Sequence, residues 1–193
     1  MTKTLIPLLA LFGFVLSSFA QERMIEVDSV KFNQTKDDWI QVEVELSCNG
    51  SALEDALDRR FVENIIVKVY LGYDRDAKNR VYDYYFSQVE IAIMEQGDRN
   101  NVYFYLPGLI AKRDQLPTEP MFYSLDITAN GVPQETEVRS SNLKNPQFNE
   151  TFKKNAEAAS ANADLLLPIY FTPAEFYRGV SDLPIFIRRE AKR

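Results

Sequence analysis

The chain has 193 residues and a net charge of −6, with one cysteine and no histidine. The missing histidine excludes Ser-His-Asp and Cys-His nucleophile systems and every histidine metal site. A single cysteine excludes an intramolecular disulfide, so the fold must be held together by its apolar core. The acidic charge disfavours binding to nucleic acid and to anionic lipid surfaces.

The N-terminus has the pattern of a secretory signal peptide. Lys3 precedes an apolar run over residues 5–16, and the small residue Ala20 marks a cleavage site. The apolar run is too short to span a bilayer, which requires about 20 residues. We therefore predict that residues 1–20 are removed, that the chain is exported to the periplasm, the outer surface or the medium, and that no membrane span remains. Residues 21–193 are predicted to form a single domain, whose net charge without Lys3 changes from −6 to −7.

Alternating apolar and polar residues predict six strands before residue 130. Polar turns separate these strands and no long helix intervenes, which is the pattern of an antiparallel sandwich. The first strand changes phase near Asp28-Ser29, and Asn130-Gly131 signals a tight hairpin turn after the sixth. A charged connection over residues 51–60 has some helical character. The predicted strands are Ile25–Phe32, Ile40–Cys48, Ile65–Tyr73, Tyr82–Ile93, Val102–Leu106 and Met121–Ala129.

The last third of the chain has a different composition. An alanine-rich stripe from Phe148 to Ala163 predicts a helix that begins after Asn145-Pro146. A capping box that starts at Thr172 predicts a second, short helix that ends at Gly179. The remaining apolar segments predict two short strands, the first with a proline typical of a sheet edge or bulge. These strands are Leu165–Phe171, which contains Pro168, and Leu183–Ile187.

The strand over residues 82–93, YDYYFSQVEIAI, contains two apolar sets of opposite phase. A side-chain period of two cannot change phase without a bulge or a change of packing partner. We therefore predict either a bulge or a change of packing partner at Ser87-Gln88, with the aromatic set on the face opposite the later Val-Ile-Ile set. The two sets are Tyr82, Tyr84 and Phe86, and then Val89, Ile91 and Ile93.

Aromatic residues are concentrated on the middle strands, and two interpretations are open. The first is cross-strand packing with tyrosine hydroxyls at the surface, since aromatics pair well in sheets. The second is a tyrosine-rich sheet face that contacts a protein or stacks on a sugar. On the second interpretation the candidate partner-binding residues are Tyr70, Tyr82, Tyr84, Phe86, Tyr103 and Tyr105.

Other features indicate no catalytic, cofactor-binding or metal residue. The seven glycines are not clustered, so no phosphate-binding loop is present. Residues 74–78 open like a calcium loop, but Lys78 stands where an oxygen ligand is needed, and a solvated turn is predicted instead. Cys48 occupies an apolar position of its strand and is predicted to be a buried structural thiol. No pair among the 28 acidic residues is marked as a glycosidase pair.

The layout resembles a secreted immunoglobulin-like domain, with short strands, Trp39 as a core anchor at one strand start, an Asn130-Gly131 turn and no disulfide. With the signal peptide, the size, the absent histidine and the late alanine-rich helix, it looks like a small exported protein found with type IV pilus-like assembly components in Akkermansia-type Verrucomicrobia. The resemblance implies an all-β, immunoglobulin-like antiparallel sandwich with short helical insertions near the C-terminus. It also implies a periplasmic or surface location and a role in pilus assembly or host contact.

Three functional hypotheses follow. The first is a non-enzymatic binding or scaffolding protein of the cell envelope, whose partner is a pilus or secretion component. That partner would contact the Tyr70–Tyr105 sheet face or a free sheet edge. The second is a carbohydrate-binding module or adhesin that uses the same tyrosines to stack on a glycan. The third is an enzyme based on carboxylates. None of the three requires a cofactor.

Overall fold

The computed structural model describes residues 23–76, 78–135 and 138–188, so the predicted signal peptide lies outside the described residues. Two antiparallel sheets face each other as a sandwich. The described residues contain nine strands: β1 Ile25–Gln34, β2 Ile40–Cys48, β3 Phe61–Asp76, β4 Val81–Glu95, β5 Arg99–Leu106, β6 Phe122–Ala129, β7 Val132–Gln134, β8 Leu167–Pro168 and β9 Phe186–Ile187.

Helical segments are short and connect the strands or cover the sheets. The α-helices are α1, Gly108–Arg113, and α2, Pro146–Ala158. Single 3-10 turns lie at Lys36–Asp38, Ser141–Leu143, Ser160–Asn162, Ile169–Phe171 and Ala174–Tyr177. The predicted helical character of residues 51–60 is wrong, because this connection is formed of turns and bends.

The strand order is that of an immunoglobulin-like sandwich. One sheet has the order β1-β2-β5-β8 and the other the order β7-β6-β3-β4-β9. Strands β1, β2 and β5 correspond to A, B and E of that architecture, and β7, β6, β3 and β4 to G, F, C and C′. The predicted fold class, an all-β antiparallel sandwich with helical insertions late in the chain, is confirmed.

The core lies between the sheets and follows the alternation in the sequence. In β2, every second side chain from Ile40 to Cys48 is buried, and the intervening side chains are partly exposed. The facing strand β3 buries Ile65, Val67, Val69 and Leu71 in the same core. Each large apolar side chain removed from water stabilises the fold by about 1.5–3 kcal/mol. The predicted burial of Cys48 is confirmed.

The two irregularities predicted from the sequence, in β1 and in β4, have different structural causes. The phase change in β1 is confirmed, since the pairing with β2 shifts between Val27 and Ser29. At Ser87-Gln88 the first alternative, a bulge, is wrong, because β4 keeps a single register against β3 through this region. The second alternative, a change of packing partner, is confirmed, since Val89 and Ile91 pack in the core between the sheets and Phe86 packs in a separate cluster with Tyr70. Its two apolar sets lie on opposite faces of one regular strand. The early part of β4 therefore has apolar side chains on both faces.

The end of the chain is less regular than its pattern predicts. The strand predicted over residues 165–171 contains only β8, which lies at a sheet edge as its proline indicates. The predicted capping box does not begin an α-helix. The Thr172 hydroxyl instead donates backwards to the Ile169 carbonyl at 2.6 Å, and only a 3-10 turn follows. The last predicted strand shortens to β9.

The segment that follows crosses from one sheet to the other. The Asp182 carbonyl accepts a hydrogen bond from the backbone N–H of Asn101 in β5 at 2.8 Å. The Ile185 carbonyl accepts one from the N–H of Ala92 in β4, also at 2.8 Å. This crossing closes part of one side of the sandwich and leaves the remainder of the β4 edge beside it.

Candidate functional site

Four of the six candidate residues lie on the outer face of the five-stranded sheet, beneath α2. The helix begins where Asn145 Oδ1 accepts hydrogen bonds from the first-turn N–H groups, with proline at the first helical position. Its buried residues Phe152 and Ala156 pack in a cluster with Tyr70 and Phe122. Strands β3 and β4 supply the candidates, and Tyr70 is buried whereas the other three are half-buried. These four residues are Tyr70, Tyr82, Tyr84 and Phe86.

Polar contacts hold α2 against this aromatic face. The Tyr70 hydroxyl donates to Glu157 of the helix at 3.0 Å, and burial raises the pKa of that hydroxyl. Lys153 donates to Asp126 of β6 at 2.6 Å. The Lys153 ammonium also lies 5.9 Å from the centre of the Tyr70 ring. The helix is therefore fixed to the sheet by both apolar and charged contacts.

The other two candidates, Tyr103 and Tyr105, lie on the outer face of the four-stranded sheet. Both are buried, in a cluster with Ile169 and Phe176 from the C-terminal part of the chain. The Tyr105 hydroxyl accepts a hydrogen bond from Gln41 at 2.7 Å. Trp39, predicted as a core anchor, packs at the edge of this outer cluster rather than between the sheets.

The predicted single face from Tyr70 to Tyr105 is therefore not formed. The six residues divide into two clusters on the two outer sides of the sandwich, and each cluster is covered by a later segment of the chain. Sugar stacking needs an open ring face, and Tyr70, Tyr103 and Tyr105 are each at most 4 % exposed. Phe86 remains at the surface of a groove.

That groove, called the β4 groove here, has a volume of about 640 Å³ and lies between residues 86–90 of β4 and residues 164–171. This volume falls within the range of about 300–1,000 Å³ that is typical of ligand pockets. Its walls are mostly apolar, and Phe171 on the rim is 61 % exposed. The apolar side chains include Phe86, Val89, Leu166, Tyr170 and Ile187.

One wall of the β4 groove is a backbone edge. The N–H of Ala92 points to this side, where it donates to Ile185. The carbonyl of Tyr84 points to the same side and accepts a hydrogen bond from the Asn162 side chain at 3.1 Å. Alternate residues of a strand direct their backbone groups to the same side. The even-numbered residues of β4 therefore present N–H and C=O groups to the groove.

Strand β9 uses only the end of this edge, since it pairs with β4 at Glu90 and Ile91. Within the described residues, no strand pairs with Phe86 or Gln88 on the groove side. An edge of this kind is a template for an added strand. A free sheet edge was one of the contacts predicted from the sequence, but no pattern in the sequence indicates which strand carries that edge.

Acidic groups elsewhere are held in structural contacts. Asp83, the buried acid of β4, pairs with Arg75. In the turn that resembles a calcium loop, Asp76 Oδ1 accepts hydrogen bonds from the backbone N–H groups of Lys78 and Asn79 at 3.1 and 3.2 Å. No group of three or more potential metal ligands occurs among the residues that the structure describes. No helix in those same ranges is long and apolar enough to cross a membrane.

The fold thus defines an immunoglobulin-like β-sandwich with a lateral groove. No family model and no curated protein matches the sequence. A crystal structure of a protein from Akkermansia muciniphila is similar, with a TM-score of 0.57 and 14% sequence identity. The similarity covers 86% of this chain and 93% of that one. At this identity, the likeness establishes the fold.

Proposed function

We propose that this chain is a non-enzymatic binding or scaffolding protein of the cell envelope, and that it engages a protein partner through the β4 groove. One observation carries the proposal: among residues 23–76, 78–135 and 138–188, no strand pairs with the backbone edge of β4 at Phe86 and Gln88, which lies between apolar walls. An extended peptide that adds to such an edge gains main-chain hydrogen bonds, and the neighbouring pockets take its alternate side chains.

The envelope location is supported by the signal-peptide pattern of residues 1–20. A setting in type IV pilus-like assembly or host contact is the finer part of the proposal. It is supported by the resemblance in layout and by the sandwich shared with the Akkermansia muciniphila protein. A partner from a pilus or secretion assembly would present an extended segment to the groove.

Two observations support the non-enzymatic part of the proposal. The chain has no histidine, and the carboxylates of Asp83 and Asp114 are engaged in ion pairs and hydrogen bonds. A glycosidase needs two carboxyl groups that flank one bond. Asp83 is paired with Arg75, and Asp114 accepts hydrogen bonds from Arg113 and Tyr85. These contacts give both carboxylates a structural role.

Site-specific photo-cross-linking in envelope extract tests the proposal. A photoreactive residue replaces Phe171 at the groove rim in residues 21–193, and a matched protein carries it at Leu109, which is 82 % exposed on α1. We expect an envelope protein to cross-link at position 171 and not at position 109. We also expect the cross-link to be lost with Gln88→Pro and retained with Gln88→Ala. Cross-links that persist in the proline variant would overturn the groove as the contact.

A further inference from the structure

We infer that the chain has a second binding site, for a single sugar unit, on the outer side of the four-stranded sheet. This site, called the Tyr105 pocket here, has a volume of about 340 Å³ and lies between the segments 35–41 and 175–180, with Tyr105 of β5 at its floor. The volume is at the lower end of the range for ligand pockets. The inference does not rest on the β4 groove, which lies along a strand of the other sheet.

The floor of the Tyr105 pocket offers a hydrogen-bond donor. The Tyr105 hydroxyl accepts a hydrogen bond from the Gln41 amide nitrogen at 2.7 Å, and the Gln41 amide oxygen accepts one from Asn33 at 3.3 Å. Burial raises the pKa of the Tyr105 hydroxyl, so its proton stays on the oxygen at neutral pH. A phenol that accepts a hydrogen bond can still donate its own proton. A ligand hydroxyl above the floor can therefore accept this proton.

The rim of the pocket carries a cation and an anion side by side. Lys36 Nζ lies 3.6 Å from Glu175 Oε2 and 3.9 Å from Asp37 Oδ2, and all three side chains are at least half exposed. At these distances the groups attract one another without a direct hydrogen bond, so each keeps its capacity to bond a ligand. Two neighbouring hydroxyls of a sugar ring fit this arrangement, because one can donate to the Glu175 carboxylate while the other accepts from the Lys36 ammonium.

Apolar groups complete the wall of the pocket. Phe176 and Val180 line it beside Tyr105. The Phe176 ring is held by Trp39, with ring centres 4.5 Å apart, and by Tyr105 at 5.0 Å. Ligand pockets typically combine such apolar walls with a few placed polar groups that fix the orientation of the ligand. A sugar has the same mixed character, because C–H groups lie between its hydroxyls, and these C–H groups would contact the wall.

The loop that carries Lys36 has an unusual backbone. Asp37 and Asp38 have φ values of 57° and 60°, in the left-handed region that residues other than glycine adopt rarely. The loop is also packed tightly against α1, since a Cβ atom at Gly108 would collide with the Asp37 carbonyl. Residues held in such conformations are concentrated at ligand-binding positions. The strained backbone therefore supports a binding role for the loop that places Lys36 beside Glu175.

Ligand-observed NMR on residues 21–193 tests the inference. The probes are the methyl glycosides of glucose, galactose, mannose and N-acetylglucosamine, each at millimolar concentration. We expect at least one of them to bind. Glu175→Gln and Tyr105→Phe should each weaken this binding about three- to tenfold, the cost of one hydrogen bond. The matched variant Glu54→Gln changes an exposed acid in the connection between β2 and β3 and should leave binding unchanged.

Two results would overturn the inference. The first is that none of the four glycosides binds the wild type. The second is binding that Glu175→Gln leaves unchanged, which would place the sugar elsewhere on the chain. Because Glu175 is exposed, Glu175→Gln tests the site independently of any loss of stability that Tyr105→Phe causes, and thermal unfolding measures that loss. Photo-cross-linking at position 171 reports on the β4 groove alone, so each proposal fails or succeeds separately.

Discussion

The ring of Phe152 lies directly over Gly72, so that a Cβ atom added at Gly72 would come within 2.8 Å of Phe152 Cε2. Gly72 lies on the outer face of β3, opposite Tyr84 of β4 and Phe122 of β6. The missing side chain opens a position in an otherwise aromatic sheet face. The Phe152 side chain of α2 fills this position, and the outer face of the sheet thereby becomes part of a second buried apolar cluster.

Gly72→Ala is therefore expected to destabilise the protein by about 1–3 kcal/mol through overpacking. The measurement is the free energy of unfolding from urea denaturation. Phe152→Leu, added to Gly72→Ala, should recover part of the loss because it removes the ring atom that clashes. If Gly72→Ala costs the same free energy of unfolding in the wild type and in Phe152→Leu, the contact between residue 72 and the Phe152 ring does not cause the loss.

Proline should destabilise the protein to very different extents at two neighbouring positions of β4. Gln88 presents its N–H to the groove, so Gln88→Pro removes no hydrogen bond of the ladder and should cost less than about 1 kcal/mol. Ser87 pairs with Val69 of β3, so Ser87→Pro removes a ladder hydrogen bond and should cost about 3 kcal/mol or more. Thermal unfolding of both variants checks this difference. A large loss in Gln88→Pro would mean that its N–H faces β3.

Periodicity in the sequence was sufficient to predict the strands of both sheets up to residue 130. It works there because residues such as Val42 and Val44 have one buried and one wet face, so local alternation and tertiary burial agree. The turn at Asn130-Gly131 was predictable for a local reason as well. Both residues adopt positive φ, at 50° and 77°, which these two residue types tolerate best.

The covering segments could not be predicted in the same way. The outward position of Tyr70 follows from its phase in β3, but its burial depends on a helix that begins 76 residues later. Strand β4 has apolar side chains on both faces, with Val89 on one and Phe86 on the other. This pattern indicates a phase change only if one face of the strand is assumed to be exposed to solvent. The β4 groove depends on where residues 164–171 come to lie, and no local pattern specifies that position. Pro168 alone indicated a sheet edge.

A partly buried hydrogen bond should make the stability depend on pH in the acid range. The Tyr85 hydroxyl donates to Asp114 Oδ2 at 2.9 Å, and the Arg113 guanidinium beside it lowers the pKa of that carboxyl below its ordinary value of 3.8. A lowered folded-state pKa stabilises the protein above the unfolded pKa, and the contribution is lost as the pH falls through the folded value. We therefore expect a loss of stability below about pH 4.

Tyr85→Phe tests this link, because it removes the donor and keeps the ring. At neutral pH the variant should be less stable by about 1.5–3 kcal/mol, the range for a hydrogen bond to a charged group. As the pH falls through the lowered folded-state pKa of Asp114, the difference from the wild type should shrink, since the carboxyl becomes protonated in both proteins. Denaturation curves across this pH range measure the difference. A gap that stays constant with pH would show that Asp114 is not the group responsible.

The thiol of Cys48 should report unfolding. Its side chain is 3 % exposed, lies 3.7 Å from the Met94 carbonyl, and burial raises the pKa of the thiol. Because only the thiolate reacts with disulfide reagents, the native protein should be labelled only when it opens. Labelling at neutral pH should therefore be faster in Gly72→Ala, by about tenfold for each 1.4 kcal/mol of lost stability. Rapid labelling of the wild type, at a rate unaffected by Gly72→Ala, would show that reagent reaches the thiol through the native surface.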